Sequence, residues 1–419
     1  MMHTQYGTRR APEQRVSVLV FIFDFLVLWY YFFSGTTALR PMAGAFWIGI
    51  ALVGMLLFQI RSIPLTTYMS LGIIGIVGIC LSIPTSIDTS TSAKYALSIA
   101  LYFLVAYQIT RPKTNMRLIL ALMMGFSLLL VTVTYIQAFA PEIFNTIFLP
   151  FLPLRFHERI FTFMRNKAHT GFYNQTSANA VAMSLGCCLS IYCIDTCGSG
   201  KSVRKLFSLV ALIIFLYGLV LTNRRGSTVT IAVLVAWFFL GRLRNPYYKA
   251  IVTVALGGFV LSGAWRDISL LENLLNKTEM YATEGDITNG RLAIWGESLQ
   301  LFWNKPLAGY GADMYGYVAT AGYAHNSYLQ SLAELGLVGA LLFYIPFIYG
   351  LRRTMRVYAR RHCLSEQEKS IIVFCFIWQL YCFINALFES FFATEVSVFM
   401  LYVVQMMCIR IDESHQYDL

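Results

Sequence analysis

The chain has 419 residues, of which 57% are hydrophobic and 13% charged, with a mean hydropathy of +0.61 and a formal charge of +11. A soluble globular domain carries about 25% charged residues, and a soluble chain of this length has too little interior for so much apolar surface, so lipid is the solvent the composition demands. The excess of positive charge sits in short loops between apolar runs, which reads as orientation in a membrane and excludes nucleic acid as the expected partner.

Twelve apolar runs approach the length needed to span a bilayer: 16–33, 43–60, 67–84, 94–110, 117–139, 176–195, 205–222, 226–241, 249–264, 327–350, 370–388 and 391–409. The stretch Tyr6 to Gln14 is polar and the first run is too long for a signal h-region, so a retained first helix is expected. The predicted fold is all-α, a single polytopic membrane domain over 1–419. With the N-terminus placed in the cytoplasm, the larger share of the 32 basic residues falls in inner loops, among them Arg9, Arg10, Arg111, Lys113, Arg117, Arg352, Arg353, Arg360 and Arg361. That is the positive-inside pattern, with both termini cytoplasmic. None of the nine cysteines falls in an outer loop, where an oxidising exterior would pair it.

In chain order, Lys94 opens the fourth run after the polar TSIDTSTSA segment, as an interfacial anchor or a cation for a ligand. An outer segment over 140–175 is too long for a connector and carries Arg155, Arg159, Arg165 and Lys167. It reads equally as a contact to anionic lipid or glycan and as a solvated interfacial stretch. At the outer end of the seventh run stand Arg224 and Arg225, followed by Gly226. Charge at that depth is costly unless paired or wet, and the guanidinium fork suits phosphate oxygens. Gly226 is expected to permit a tight turn and close ligand approach.

A large outer loop over 265–326 contains Gly290-Arg291 and a helical stretch from Arg291 to Asn304. There Leu292, Trp295, Leu299 and Phe302 recur at helical spacing, suited to the membrane surface or to packing on the bundle. The turn Pro306–Gly311 (PLAGYG) breaks it. His325 then opens the tenth run, with Asn326 and Ser327 as a plausible helix start. An imidazole there can take a proton from a hydroxyl, and Gly336 and Gly339 suit close helix packing.

All these groups fall on one face of the membrane under a topology set by the inner loops alone. Cations and an imidazole gathered at one membrane surface describe a site for a lipid-linked, phosphate-bearing substrate. The acids Asp267, Glu284 and Asp286 are scattered, no DxD-type pair marks a metal–nucleotide-sugar site, and no CxxC pair has partner ligands, so no metal or other cofactor is expected. A secondary transporter or lipid flippase is the reading of another class. It would place charged residues along a pathway inside the spans, and Asp24 in the first run is its main candidate.

At these residues the chain resembles the O-antigen ligase/Wzy-type polymerase family of bacterial membrane glycosyltransferases. The ligase motif is His, then Asn, Ser or Gln, nine residues, Gly, two residues, then Gly, Thr or Tyr. His325-Asn326, Gly336 and Gly339 fit it throughout. Arg225-Gly226 matches an Arg-Gly at a helix exit, and Gly290, Arg291, Trp295 and Pro306–Gly311 match a Gly-Arg, Trp-bearing helix and PLxGxG turn. Lys94 is a looser match, and the motifs cover about 170–345. The resemblance implies a twelve-helix GT-C-like fold with a helical extracytoplasmic loop domain in a bacterial inner membrane. It also implies an undecaprenyl-diphosphate-linked glycan donor passed, with inversion and without metal, to a hydroxyl of a glycan or lipid-linked acceptor. Arg225 and Arg291, with Arg224 or Lys94, would bind the diphosphate, and His325 would be the base. Whether the chain is a ligase or a Wzy-type polymerase of lipid-linked repeats stays open.

Overall fold

The structure, a computed structural model, describes residues 17–33, 43–60, 66–111, 114–197, 202–242, 290–392 and 395–416. Among them every regular element is helical: α1 (Val18–Phe33), α2 (Ala43–Leu57), α3 (Thr67–Cys80), α4 (Thr89–Ile109) and α5 (Met116–Phe139), then α6 (His157–Arg165) after a series of short helical turns. These are followed by α7 (Thr176–Thr196), α8 (Ser202–Leu221), α9 (Arg225–Arg242), α10 (Arg291–Asn304), α11 (Ser327–Ala359), α12 (Glu366–Asn385) and α13 (Glu395–Gln416). Seven of them, α3, α4, α5, α7, α8, α11 and α12, are long and apolar enough to cross a membrane, and α1 and α2 are apolar but shorter. The protein is a polytopic helical membrane protein. Each expected span coincides with a helix except 249–264, which lies outside the described residues.

Helix bounds shift by several residues from the sequence reading, and two of these shifts have a local cause. The run expected at 327–350 continues to Ala359, because the chain after the apolar stretch stays helical through its basic last turns. The run expected from 391 becomes helical only at Glu395. Residues 386–392 are instead held as a connector by Ser327, whose N–H donates to Ala386 O at 2.8 Å and whose hydroxyl donates to Glu389 O at 2.9 Å.

Helix starts are set by side chains that accept the orphan amides of the first turn. Asp88 caps α4, Asn115 caps α5, Asn326 caps α11, and Ser365 with Glu368 makes a capping box on α12. Inside the bundle, small residues let helices approach where apolar burial gives no preference over lipid. A Cβ on Gly339 of α11 would lie 2.8 Å from the Gly78 carbonyl oxygen of α3, so those two backbones touch. Gln405 of α13 ties four helices: it accepts from the Tyr68 hydroxyl at 2.7 Å, and its amide donates to Phe347 O at 2.8 Å and Gln379 Oε1 at 3.1 Å.

Gly336 does something other than the close packing expected of it. Its φ of 65° and ψ of −176° break α11 in mid-helix, a conformation open essentially to glycine alone. The break frees amides downstream, and Leu337 N–H donates to Pro306 O at 2.7 Å. Gly311 N–H donates to Glu334 O at 2.8 Å on the other side of the kink. The PLAGYG turn is thereby stitched to the broken helix. Asp24, the acid that a transport pathway would need, is instead paired with Arg111 at 3.3 Å, and that guanidinium also stacks 3.9 Å over Phe58.

Candidate functional site

The chain leaves α8 through Thr222 and Asn223, the latter in the left-handed region at φ 55°, and enters α9 at once. This turn, and not Gly226, redirects the backbone. Gly226 lies in the first turn of α9, where a Cβ would meet Phe388 Cβ at 3.1 Å, so its smallness serves the 386–392 connector. Arg224 and Arg225 consequently stand at a helix N-terminus, where the backbone dipole already presents positive charge. Arg291 has the same placing at the start of α10, after Gly290 at φ 74°. His325, at φ 49°, stands directly before the cap of α11. Arginines at the N-termini of α9 and α10 oppose the stabilising rule for those positions, which marks them as serving something other than helix stability.

They meet at one carboxylate. Arg224 Nη1 lies 3.3 Å from Glu389 Oε1, Arg291 Nη2 3.8 Å from the same oxygen, and His325 Nδ1 3.5 Å from Oε2. Arg224 also donates through Nε to the Thr176 hydroxyl, at the start of α7, at 2.7 Å. Burial pushes the Glu389 carboxyl up, but the His325 hydrogen bond and the Arg224, His325 and Arg291 charges outweigh it and hold the group below its ordinary value. Burial, with the Arg224 and Arg225 charges, pulls Arg291 down against the opposing pull of Glu389. Arg225 is therefore within electrostatic reach of Arg291.

Neighbouring contacts fix these parts. Trp295 of α10 donates to Ala324 O at 3.1 Å, joining the Arg291 helix to the residue before His325. Of the expected apolar stripe on α10, Leu292 and Leu299 face outward, and the packed face is Trp295, Ser298 and Leu301. Phe392 N–H donates to the Ser327 hydroxyl at 3.0 Å, and the Ser227 hydroxyl of α9 donates to Asn385 Oδ1 at 3.0 Å.

The structure thus brings Arg224, Arg291 and His325 onto one group, with Arg225 beside them. Lys94 is exposed near the start of α4 with Asp88 as its charged neighbour, and among the described residues no hydrogen bond or ion pair joins it to the cluster. Asp267, Glu284 and Asp286 lie outside the described residues. Among those described, no group of three or more His, Cys, Asp or Glu side chains comes together as metal ligands. Sequence reasoning missed Glu389. The available signal was a lone acid in the short connector between two apolar runs, in the sequence FESFF.

Residues 210–344 match the family model described as O-antigen ligase. The O-antigen ligase domain covers about a third of the chain and bears out the resemblance read from the motifs. It contains Arg224, Arg225, Arg291, the PLAGYG turn, His325, Gly336 and Gly339, whereas Lys94 and Glu389 lie outside it. The match supports an O-antigen ligase/polymerase type of function. No curated protein matches the chain.

Proposed function

We propose that the O-antigen ligase domain transfers a glycan from an undecaprenyl-diphosphate-linked donor to a hydroxyl on the extracytoplasmic face of a bacterial inner membrane. The observation that carries this reading is the meeting of Arg224, Arg291 and His325 at Glu389, with Arg225 adjacent. The opposite end of the bundle supports this orientation. There Arg111, Arg117, Arg353, Arg356 and Arg410 flank the helix ends, and positive charge marks the cytoplasmic side.

In the proposed step the acceptor hydroxyl gives its proton to His325 Nε2. Its oxygen bonds the anomeric carbon from the side opposite the diphosphate. The bond from that carbon to the diphosphate oxygen breaks, and the electron pair leaves with the diphosphate. Arg224, Arg225 and Arg291 stabilise the charge that develops there, which is where preorganised cations act most strongly. With this charge stabilisation the step as written calls for no metal. Glu389 facing Nδ1 orients the ring and leaves Nε2 for the acceptor, the role a third group plays in any base that must hold one tautomer. The inversion, the acceptor as a terminal glycan of the ligase type, and Lys94 as a further donor contact belong to the same proposal.

The test is transfer in proteoliposomes supplied with lipid-diphosphate-linked glycan and a separate glycan acceptor. His325→Ala is expected to lose about 10²–10⁴-fold in rate, and Arg291→Ala about 10²-fold, with the folded fraction unchanged. Full activity in either variant would sink the proposal. Product that grows on the lipid diphosphate in place of the acceptor would make the protein a polymerase.

A further inference from the structure

We infer that residues 139–167 form a foot lying in the headgroup layer of the leaflet on the site side, where its basic side chains grip anionic phospholipid. This inference stands independently of the glycosyl-transfer reading. The segment begins where α5 leaves the bilayer. Ala140, at φ −138° and ψ 61°, ends that helix, and Pro141 follows, so the chain turns away from the α5 axis. It then winds through short helical turns over Pro141–Ile143, Phe144–Phe148 and Leu149–Phe151.

These turns have two apolar faces. The inner face has a core of its own: Phe144, Leu149 and Leu152 are buried with Val133 of α5 and Ile160 of α6. The outer face leaves Phe139, Ile143, Ile147 and Phe151 exposed at intervals of four residues, and Leu154 follows at 84% exposure. Together they make the outer, apolar side of the segment. It adjoins the exposed face of α5, where Leu128 lies roughly three helical turns before Phe139 and is exposed as well. A contiguous apolar stripe of this size marks a contact surface, not a wet one. The lipid against α5 is the apolar phase that already reaches its upper end.

The charges choose the leaflet surface as the occupant. Arg155, Arg159, Arg165 and Lys167 are all exposed, against Glu142 and Glu158. The Arg155 guanidinium sits 4.8 Å over the Phe156 ring and that of Arg159 5.7 Å from the Phe163 ring. Rings at the acyl boundary with guanidinium groups at the phosphates is the arrangement of interfacial segments. His157 Nε2 lies 2.8 Å from Leu152 O, holding α6 against the stripe. A hydrophilic glycan would complement the cations but not the exposed Phe, Ile and Leu, whereas an anionic bilayer surface complements both.

The experiment places single environment-sensitive labels on the full chain in nanodiscs, after Cys80→Ser and Cys363→Ser remove the two exposed native thiols. Labels at Phe151→Cys and Leu154→Cys are expected to emit as in an apolar medium and to be quenched by lipids brominated in the acyl chains. A label at Glu366→Cys, 89% exposed at the opposite end, is expected to behave as in water. In nanodiscs containing phosphatidylglycerol, a label at Thr162→Cys is expected to be shielded from an aqueous quencher. That shielding should vanish in pure phosphatidylcholine, in high salt, or when Arg155, Arg159, Arg165 and Lys167 are changed to Gln. Water-like labels at positions 151 and 154 would overturn the inference. So would shielding at position 162 that ignores lipid charge but follows added soluble glycan, which would assign the basic residues to glycan.

Discussion

The two ends of the helix bundle use arginine differently. At the end away from the site, cations are matched singly to carboxylates: Arg111 to Asp24, Arg353 to Asp412, Arg242 to Asp195, Lys369 to Glu366 and Arg410 to Glu413. At the site end, Arg224, Arg291 and His325 share Glu389, with Arg225 near enough to act on Arg291. Each such pair is close to neutral locally, even though that end as a whole carries the positive excess. Several cations on one carboxylate, at helix N-termini, leave a positive potential that a diphosphate can use. The paired end is therefore read as scaffold and the crowded end as a binding site.

The sharpest way to break this contrast is to neutralise the shared carboxylate. Glu389→Gln keeps the shape but removes the charge that orients His325, and transfer is expected to fall about 10²-fold. Glu389→Asp should restore part of it, and the pH–rate profile should move, which a purely structural role would not produce. An unchanged profile with full activity would remove Glu389 from the site. Gly336→Ala comes next. A Cβ there would lie 2.4 Å from the backbone of Leu307, and the backbone conformation adds roughly 1–3 kcal/mol of strain. A fall in thermal midpoint together with faster proteolysis around the PLAGYG turn is expected, and wild-type behaviour would refute the stitching of turn to kink.

At the paired end, Asp24→Asn leaves the partly buried Arg111 without its charge partner and is expected to cost up to about 3 kcal/mol in stability. Transfer per folded molecule should be unchanged, and a selective loss of transfer at full stability would erase the distinction between the ends. The smallest effect concerns His169, whose N–H donates to Leu221 O at 2.9 Å beside the Arg224 turn. Burial lowers its imidazole from 6.5 to about 4. The unfolded chain takes up this proton first as pH falls, so the contribution is complete above about 6.5 and is lost toward about 4. The thermal midpoint of His169→Gln should therefore decline less than wild type between those limits, and an identical decline would dismiss His169 as the cause.

Much of the architecture was legible because hydropathy and charge act locally. Apolar runs gave the helices, the Arg291–Asn304 stretch was read at its observed bounds, and Asn326 caps α11 as a helix-start residue should. Gly336 was recognised as a motif residue but assigned the wrong job, since only the folded neighbour at Pro306–Leu307 reveals why the helix breaks there. Gly226 was misread likewise, because its reason is Phe388, far along the chain.

The sequence by itself determined that this protein lives in lipid, where its apolar helices fall, and that Arg224, Arg225, Arg291 and His325 belong at one end of them. Lipid solvation is decided by each segment's own side chains, so no folded context is needed to read it. Tertiary structure alone decided that the connector after α12 delivers Glu389 to the cations and that Lys94 stands apart from them. Those outcomes depend on how helices distant in the chain pack, and a carboxylate's partners are set by distances that no local pattern encodes.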